Sequence, residues 1–386
     1  MIFDEFEDDS WFAVKDSSSQ ELTHDIHPYF AKFAPEIPHN LIRKLTEKEE
    51  TVLDPFCGSG TTLIESLALD RNAVGVDANP LACLIAKVKT TKLQSGDRKI
   101  AKKVVEDVST NINELYGQQT FSQQEFSKPK LPEFYNRDKW FNENVQQELS
   151  IIKERIETVE NERVYDLLRL SFSRIIVGVS NQESESRYTA VEKNISNKET
   201  VRRFAKRTTE TLNRVKSLDA NVSETVSAKV VNTDTHTMDN VGDESVDFVV
   251  TSPPYLNSWD YGLYHKFRFK WLKMNVDKFN NREIGRHLRR KEDKISRYTD
   301  DMRDSLSQIE QKMKPGSRCV IVNATGIVDG EYINTNQVLI DEAAFCGLEL
   351  EDSVSKDVYG PHFGLRASNG GGKQKQEVLL AFRKSG

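Results

Sequence analysis

The chain has 386 residues, of which 37% are hydrophobic and 30% charged, and its formal net charge at pH 7 is −6. No run approaches the roughly 18 consecutive apolar residues of a membrane span. The four cysteines, Cys57, Cys83, Cys319 and Cys346, form no C-x-x-C pair, which argues against a zinc site and against a disulfide framework. The acidic stretch Met1–Ser10 has no apolar signal core, so a cytoplasmic protein is expected, and any affinity for nucleic acid has to come from local basic patches.

Residues 1–23 read as a flexible acidic arm. His24–Ile37, rich in aromatics and prolines, reads as an ordered loop packed on a surface, and Pro38–Leu45 as a helix with Leu41, Ile42 and Leu45 on one face. Thr51–Asp54 is a strand, Pro55–Thr62 a glycine-rich turn and Leu63–Leu69 a helix. Ala73–Asp77 is a second strand, and Asn79-Pro80 opens a helix running to about Lys92. This strand–turn–helix–strand unit implies a parallel sheet, so 24–95 forms one half of an α/β domain.

Residues 96–227 are polar, charged and helical in pattern, over Asp97–Leu115, Val145–Ile156, Tyr165–Val179 and Glu199–Leu218. They read as a helical insertion. The sheet resumes in 228–386, with strands at Ala228–Asn232, Val246–Val250, Arg318–Val322, Leu348–Val354 and Glu377–Phe382. Leu263–Asn275 predicts an aromatic-rich helix, Asp300–Met313 and Asn334–Cys346 two more, and Lys314–Ser317 a turn. Arg282–Arg297 holds seven basic residues and three acids.

Gly58 and Gly60 stand where a strand turns into a helix. Glycine there lets a ligand approach the backbone, and the helix start offers free N–H groups. Asp77, at the end of the next strand, can accept hydrogen bonds from ribose hydroxyls. The spacing is not G-x-G-x-x-G, and no Lys-Ser or Lys-Thr follows the glycines, so neither a nicotinamide cofactor nor a nucleoside triphosphate is indicated. A second loop, Thr251-Ser252-Pro253-Pro254-Tyr255, follows the apolar strand at Val246. Its prolines hold the backbone stiff and leave carbonyls facing outward beside a hydroxyl and a flat ring. Such a loop can accept hydrogen bonds from an amine while stacking on the base that carries it; read by itself, it is equally a Pro-Pro turn with a packed tyrosine.

The two motifs together, Asp54-Pro55-Phe56-Cys57-Gly58-Ser59-Gly60-Thr61-Thr62 and Thr251–Tyr255, resemble those of the DNA amino-methyltransferases that use S-adenosylmethionine. The resemblance covers about 24–95 and 228–385 and leaves the insertion unmatched. It implies a Rossmann-like class I methyltransferase fold, with a mixed seven-stranded sheet flanked by helices. It implies that Asp54, Pro55, Phe56, Gly58, Gly60, Thr61 and Thr62 hold the methionine part of the cofactor, with His27 and Tyr29 in the segment closing over it and Lys32 or its neighbours reaching its carboxylate. Asp77 and Ala78 would hold the ribose, Asp234 would face the adenine amine, and Thr251 would border the site. Ser252, Pro253, Pro254 and Tyr255 become the catalytic loop acting on a base flipped out of double-stranded DNA. Serine at the loop's first position implies cytosine N4, with adenine N6 as the alternative. The same resemblance implies a restriction-modification setting in a bacterial or archaeal cell, with a restriction endonuclease as a partner.

No metal and no covalent enzyme intermediate are required by this chemistry. DNA contact is expected from Trp259, Arg286, Arg289 and Arg290 beside the loop, or from the insertion, where Arg202–Lys216 is also basic. His27 and His236 read as structural rather than catalytic, since this chemistry needs no tuned imidazole. An RNA guanine-amine methyltransferase and a small-molecule or protein-glutamine methyltransferase share parts of the pattern, but asparagine or aspartate is expected where Ser252 stands.

Overall fold

Seven apolar stretches pair into one sheet. The strands are β1 (Thr51–Asp54), β2 (Asn72–Asp77), β3 (Ala228–Asn232), β4 (Val246–Thr251), β5 (Met313–Ala324), β6 (Leu348–Asp357) and β7 (Gln376–Lys384). The computed structural model describes residues 2–3, 22–117, 131–256, 260–285, 291–328, 331–357 and 376–386. The spatial order is β6-β7-β5-β4-β1-β2-β3. Strands β5, β4, β1, β2 and β3 run parallel, and β7 inserts antiparallel between β5 and β6. This is a mixed seven-stranded α/β sheet flanked by helices, as the resemblance implied.

The period-two alternation of the strands sets two layers. Val52, Phe248, Val250, Val320 and Leu379 face one side, where α1 (Glu36–Leu45) covers them with Ile37, Leu41 and Ile42. Leu53, Val249, Cys319, Ile321 and Leu380 face the other. There Met302, Leu306 and Ile309 come from the helix Lys291–Lys312, and Leu339 and Ala343 from Thr335–Phe345. After β1 comes α2 (Thr61–Ala68), and after β2 comes α3 (Pro80–Thr90), whose start is capped by Asn79 accepting from the Leu81 and Ala82 amides.

The insertion supplies α4 (Asp97–Gly117), α5 (Glu143–Glu157), α6 (Glu162–Val179) and α7 (Glu199–Asn221). These helices share one core with Leu81, Ile85 and Val88 of α3 and with Phe267, Phe269 and Trp271 from beyond the Thr251–Tyr255 loop. Much of the basic face of α7 is spent on its own acids. Arg202 and Arg203 pair with Glu199, while Arg207 meets Glu210, which also takes Arg174 of α6.

Three expectations change. The arm is pinned at its tip: Ile2 and Phe3 are buried, the Phe3 amide donates to Asp352 at 2.9 Å, and Lys44 donates to the Ile2 carbonyl at 2.9 Å. Apolar burial at the tip outweighs the acidic composition of the rest of the arm, which lies outside the described residues apart from Leu22 and Thr23. The aromatic helix is broken into Tyr261–Tyr264 and Lys266–Trp271, and Lys273 takes a left-handed φ of 55° before Asn275 caps a further short helix. The turn Lys314–Ser317 does not precede a strand but bulges within β5: Val246 pairs with Met313 and Phe248 with Arg318, with Gly316 at φ 76°. Among the described residues no helix is long and apolar enough to cross a membrane, and no group of three or more His, Cys, Asp or Glu could hold a metal ion.

Candidate active site

The parallel order places the ends of β1, β2, β3 and β4 along one edge of the sheet, and the predicted residues gather there. Asp54, 3% exposed at the end of β1, accepts the Thr251 hydroxyl at 2.6 Å and the Phe56 amide at 3.1 Å. One hydrogen bond thus ties the glycine turn to the second loop across 197 residues of sequence. Asp77, at the end of β2, accepts the Gly58 amide at 2.9 Å and the Asn79 amide at 2.7 Å. The first acid braces the turn from below and the second clasps it from the side.

The turn's geometry demands glycine. Gly60 has φ 83°, and a Cβ there would stand 2.8 Å from the Ala86 Cβ, so α3 presses directly on the turn. Gly58 has φ 48°, with the Tyr29 ring 3.5 Å from where its Cβ would be. Thr61 and Thr62 are buried in the first turn of α2, and Pro55 is buried beneath Phe56, which is half-exposed.

The loop His24–Ile37 lies over this turn. Tyr29 accepts from Asn79 Nδ2 at 3.3 Å and stacks on Tyr261 and His265, with ring centroids 5.4 and 5.5 Å apart. His27 is fully buried; its Nδ1 meets the Pro28 carbonyl at 2.7 Å and its Nε2 the Ser173 hydroxyl of α6 at 3.0 Å. Burial, with Arg268 next, holds its pKa well below the usual histidine range. It therefore acts as a neutral strut between loop and insertion. Lys32 is drawn to the His24 carbonyl at 3.1 Å and lies 3.8 Å from Asp25. His24 and His39 grip the two oxygens of the fully buried Glu65 of α2, at 2.6 and 2.7 Å, and so anchor the loop and α1 to the helix after the turn.

In the second loop Thr251 is buried, while Ser252, Pro254 and Tyr255 remain partly exposed and Pro253 is buried. The Ser252 hydroxyl stands 3.4 Å from the Tyr255 hydroxyl. Burial raises the Tyr255 phenol above its ordinary value, with Glu377 of β7 as the next cause. Burial pushes the Glu377 carboxyl up to about 7.

Asp77 pairs with Asn232, so Asp234 lies two residues past the same edge, one strand over. Its carboxylate accepts the His236 amide at 3.1 Å and faces the His236 ring at 3.3 Å and Arg282 at 3.8 Å. Ala78 lies half-buried between Asp77 and Asn79. Trp259, Arg286, Arg289 and Arg290 lie outside the described residues.

Sequence reasoning passed over Asn79, His265 and Gly285. Gly285 has φ 71°, and a Cβ on it would stand 2.8 Å from the Tyr255 carbonyl oxygen. The signal was a glycine at the head of the basic stretch. Gly285→Ala is expected to displace the second loop and cost about 1–3 kcal/mol of stability, with methyl transfer falling further than the shift in Tm accounts for. Unchanged turnover in the purified variant would remove Gly285 from the site.

The strand order and the two motif-bearing turns give an α/β protein with both motifs at one edge of its sheet. Residues 3–88 match a family model described as a DNA methylase, N6_N4_Mtase. The chain is similar to the Type II methyltransferase M.MvaI of Kocuria varians, 26% identical over 70% of this chain and 62% of that one. It is also similar to M.BsoBI of Geobacillus stearothermophilus, 23% identical over 69% and 56%. With M.MjaII of Methanocaldococcus jannaschii it shares 33% identity over 39% of this chain and 28% of that one. The chain thus spans roughly a third to two thirds of the length of these relatives. A solved structure of a DNA modification methylase from Thermus thermophilus overlaps 40% of this chain and 54% of its own, at a TM-score of 0.27 and 18% identity. The resemblance is to the N6/N4 DNA methylases, and the relatives found are Type II DNA methyltransferases.

Proposed function

We propose that this protein transfers a methyl group from S-adenosylmethionine to the exocyclic amine of a base in DNA, with cytosine N4 as the target. The observation that carries the reading is the bond from Thr251 to Asp54, which sets an amine-accepting loop directly beside a cofactor-type turn. The residues fit the cofactor. Gly58 and Gly60 leave the turn's backbone free of side chains, and the buried Asp54 with the partly buried Asp77 suits a ligand that carries an ammonium and a sulfonium. Asp54 suits the ammonium and Asp77 the ribose hydroxyls, with Tyr29 beside Gly58 as the cover.

The cofactor supplies an electrophilic methyl. The chain's part is to make a poor nucleophile competent. The amine lone pair is delocalised into the base, so the Ser252 hydroxyl and the Pro253 carbonyl accept its two N–H bonds and draw the nitrogen toward tetrahedral geometry. Tyr255 stacks on the flipped base and holds it in register. This work is positioning and electrostatics. Ser252, in place of an acid or amide, supports cytosine.

Burial pushes the carboxyls of Asp54 and Asp77 up to about 6, opposed by the hydrogen bonds each accepts. Both folded values lie above the ordinary 3.8, so their contribution to stability is complete below about pH 4 and is lost as pH rises through about 6. A cationic ligand prefers the ionised forms. Cofactor affinity is therefore expected to fall as pH drops from 7.5 through about 6, which calorimetry from pH 8 to 5 would show; affinity flat across that range would contradict the placement of these acids. The reading as a whole is tested by offering tritiated S-adenosylmethionine with duplex DNA, transfer RNA and protein as acceptors. Label should enter the DNA, and label confined to RNA would move the protein to another substrate class.

A further inference from the structure

Lys89, on the last turn of α3, is 0% exposed, yet its ammonium has a single hydrogen-bond partner among the described residues, the Ser59 hydroxyl at 3.4 Å. Ser59 belongs to the glycine turn. The groups that face Lys89 electrostatically are Lys32, Asp25 and His27, all from the loop over that turn. Lys32 stays 3.8 Å from Asp25 and donates to the His24 carbonyl, so Asp25, the acid that faces Lys89 among the described residues, is already engaged. Loop and helix are held together here by the Thr23 hydroxyl, which donates to the Lys89 carbonyl at 2.8 Å. An amine removed from water with one long hydrogen bond is costly, and an anion beside it offsets that cost.

On the reading that the turn holds S-adenosylmethionine, we infer that Lys89 is the group that receives the amino-acid carboxylate of the cofactor, reaching it past Ser59 from beneath the turn. The ligand's ammonium then lies toward Asp54 and its carboxylate toward Lys89, so the two ends of the zwitterion are read by opposite charges. Burial holds the Lys89 pKa well below the usual lysine value, and a carboxylate beside the amine would raise it.

The test compares S-adenosylhomocysteine with its decarboxylated analogue by calorimetry at pH 8. The wild-type chain is expected to prefer the carboxylate-bearing ligand by about 10- to 100-fold, and Lys89→Met to lose that preference while binding the analogue as the wild type does. Three results overturn the inference: no preference in the wild type, a preference retained by Lys89→Met, or an equal loss of both ligands in Lys89→Met, which would make the lysine structural. Wild-type protein that binds neither compound would instead fail the cofactor reading itself.

Discussion

Ser252→Ala is expected to lower methyl transfer by about 100- to 1000-fold, the range seen when one preorganised polar group is withdrawn from a reacting centre, while cofactor affinity stays near the wild-type value. The hydroxyl stands at the mouth of the loop, partly exposed and 3.4 Å from the Tyr255 hydroxyl, and it makes no bond to the turn. It is Thr251, one residue earlier, that joins Asp54. Loss of Ser252 therefore removes an acceptor for the amine without loosening the cofactor's cradle. Tyr255→Ala should behave similarly, with a further loss in DNA affinity from the missing stack. Rapid-quench kinetics and calorimetry on the same preparations separate the two effects. Full turnover in either variant would mean that the amine is held elsewhere.

Asp77→Ala is expected to act on the other side of the reaction. Its carboxylate holds the Gly58 and Asn79 amides, and in the proposed complex it also takes the ribose. Removing it should weaken cofactor binding by about 100-fold or more, at about 1.5–3 kcal/mol for each hydrogen bond to a charged group, and lower Tm because two partly buried amides lose their acceptor. Turnover at saturating cofactor should recover much of the wild-type rate. The signature is a change in the KM for cofactor, whereas Ser252→Ala changes kcat. A variant with unchanged cofactor KM would dismiss Asp77 as a ribose ligand.

How much of this was legible in the sequence follows the range of the interactions. The turn Asp54–Thr62 and the loop Thr251–Tyr255 were readable because their chemistry is local: glycines where a strand meets a helix, prolines and a small hydroxyl where another strand ends. The sheet was readable for the same reason, since β1, β2 and β4 are short apolar runs bounded by turn residues. What stayed hidden depends on partners far away in the chain. Glu65 gives no sign in sequence that two histidines, from the covering loop and from α1, will close on it. Arg268 gives no sign in sequence of its burial, yet it is fully buried, bonded to the Ser173 carbonyl, His265 and Glu185. Lys89 reads as the polar end of a helix until Ser59 and the covering loop are folded over it. The aromatic segment after the loop reads as one helix because its apolar spacing is continuous, whereas the structure breaks it at His265 and ends it at Lys273, whose φ is 55°.

The central claim is that a base amine receives the methyl group, and the chemical identity of the product tests it most directly. Duplex DNA methylated by the purified protein would be digested to nucleosides and analysed by mass spectrometry. The account predicts N4-methylcytosine. N6-methyladenine alone would contradict the choice of base drawn from Ser252, and 5-methylcytosine would contradict the amine chemistry of the Thr251–Tyr255 loop altogether.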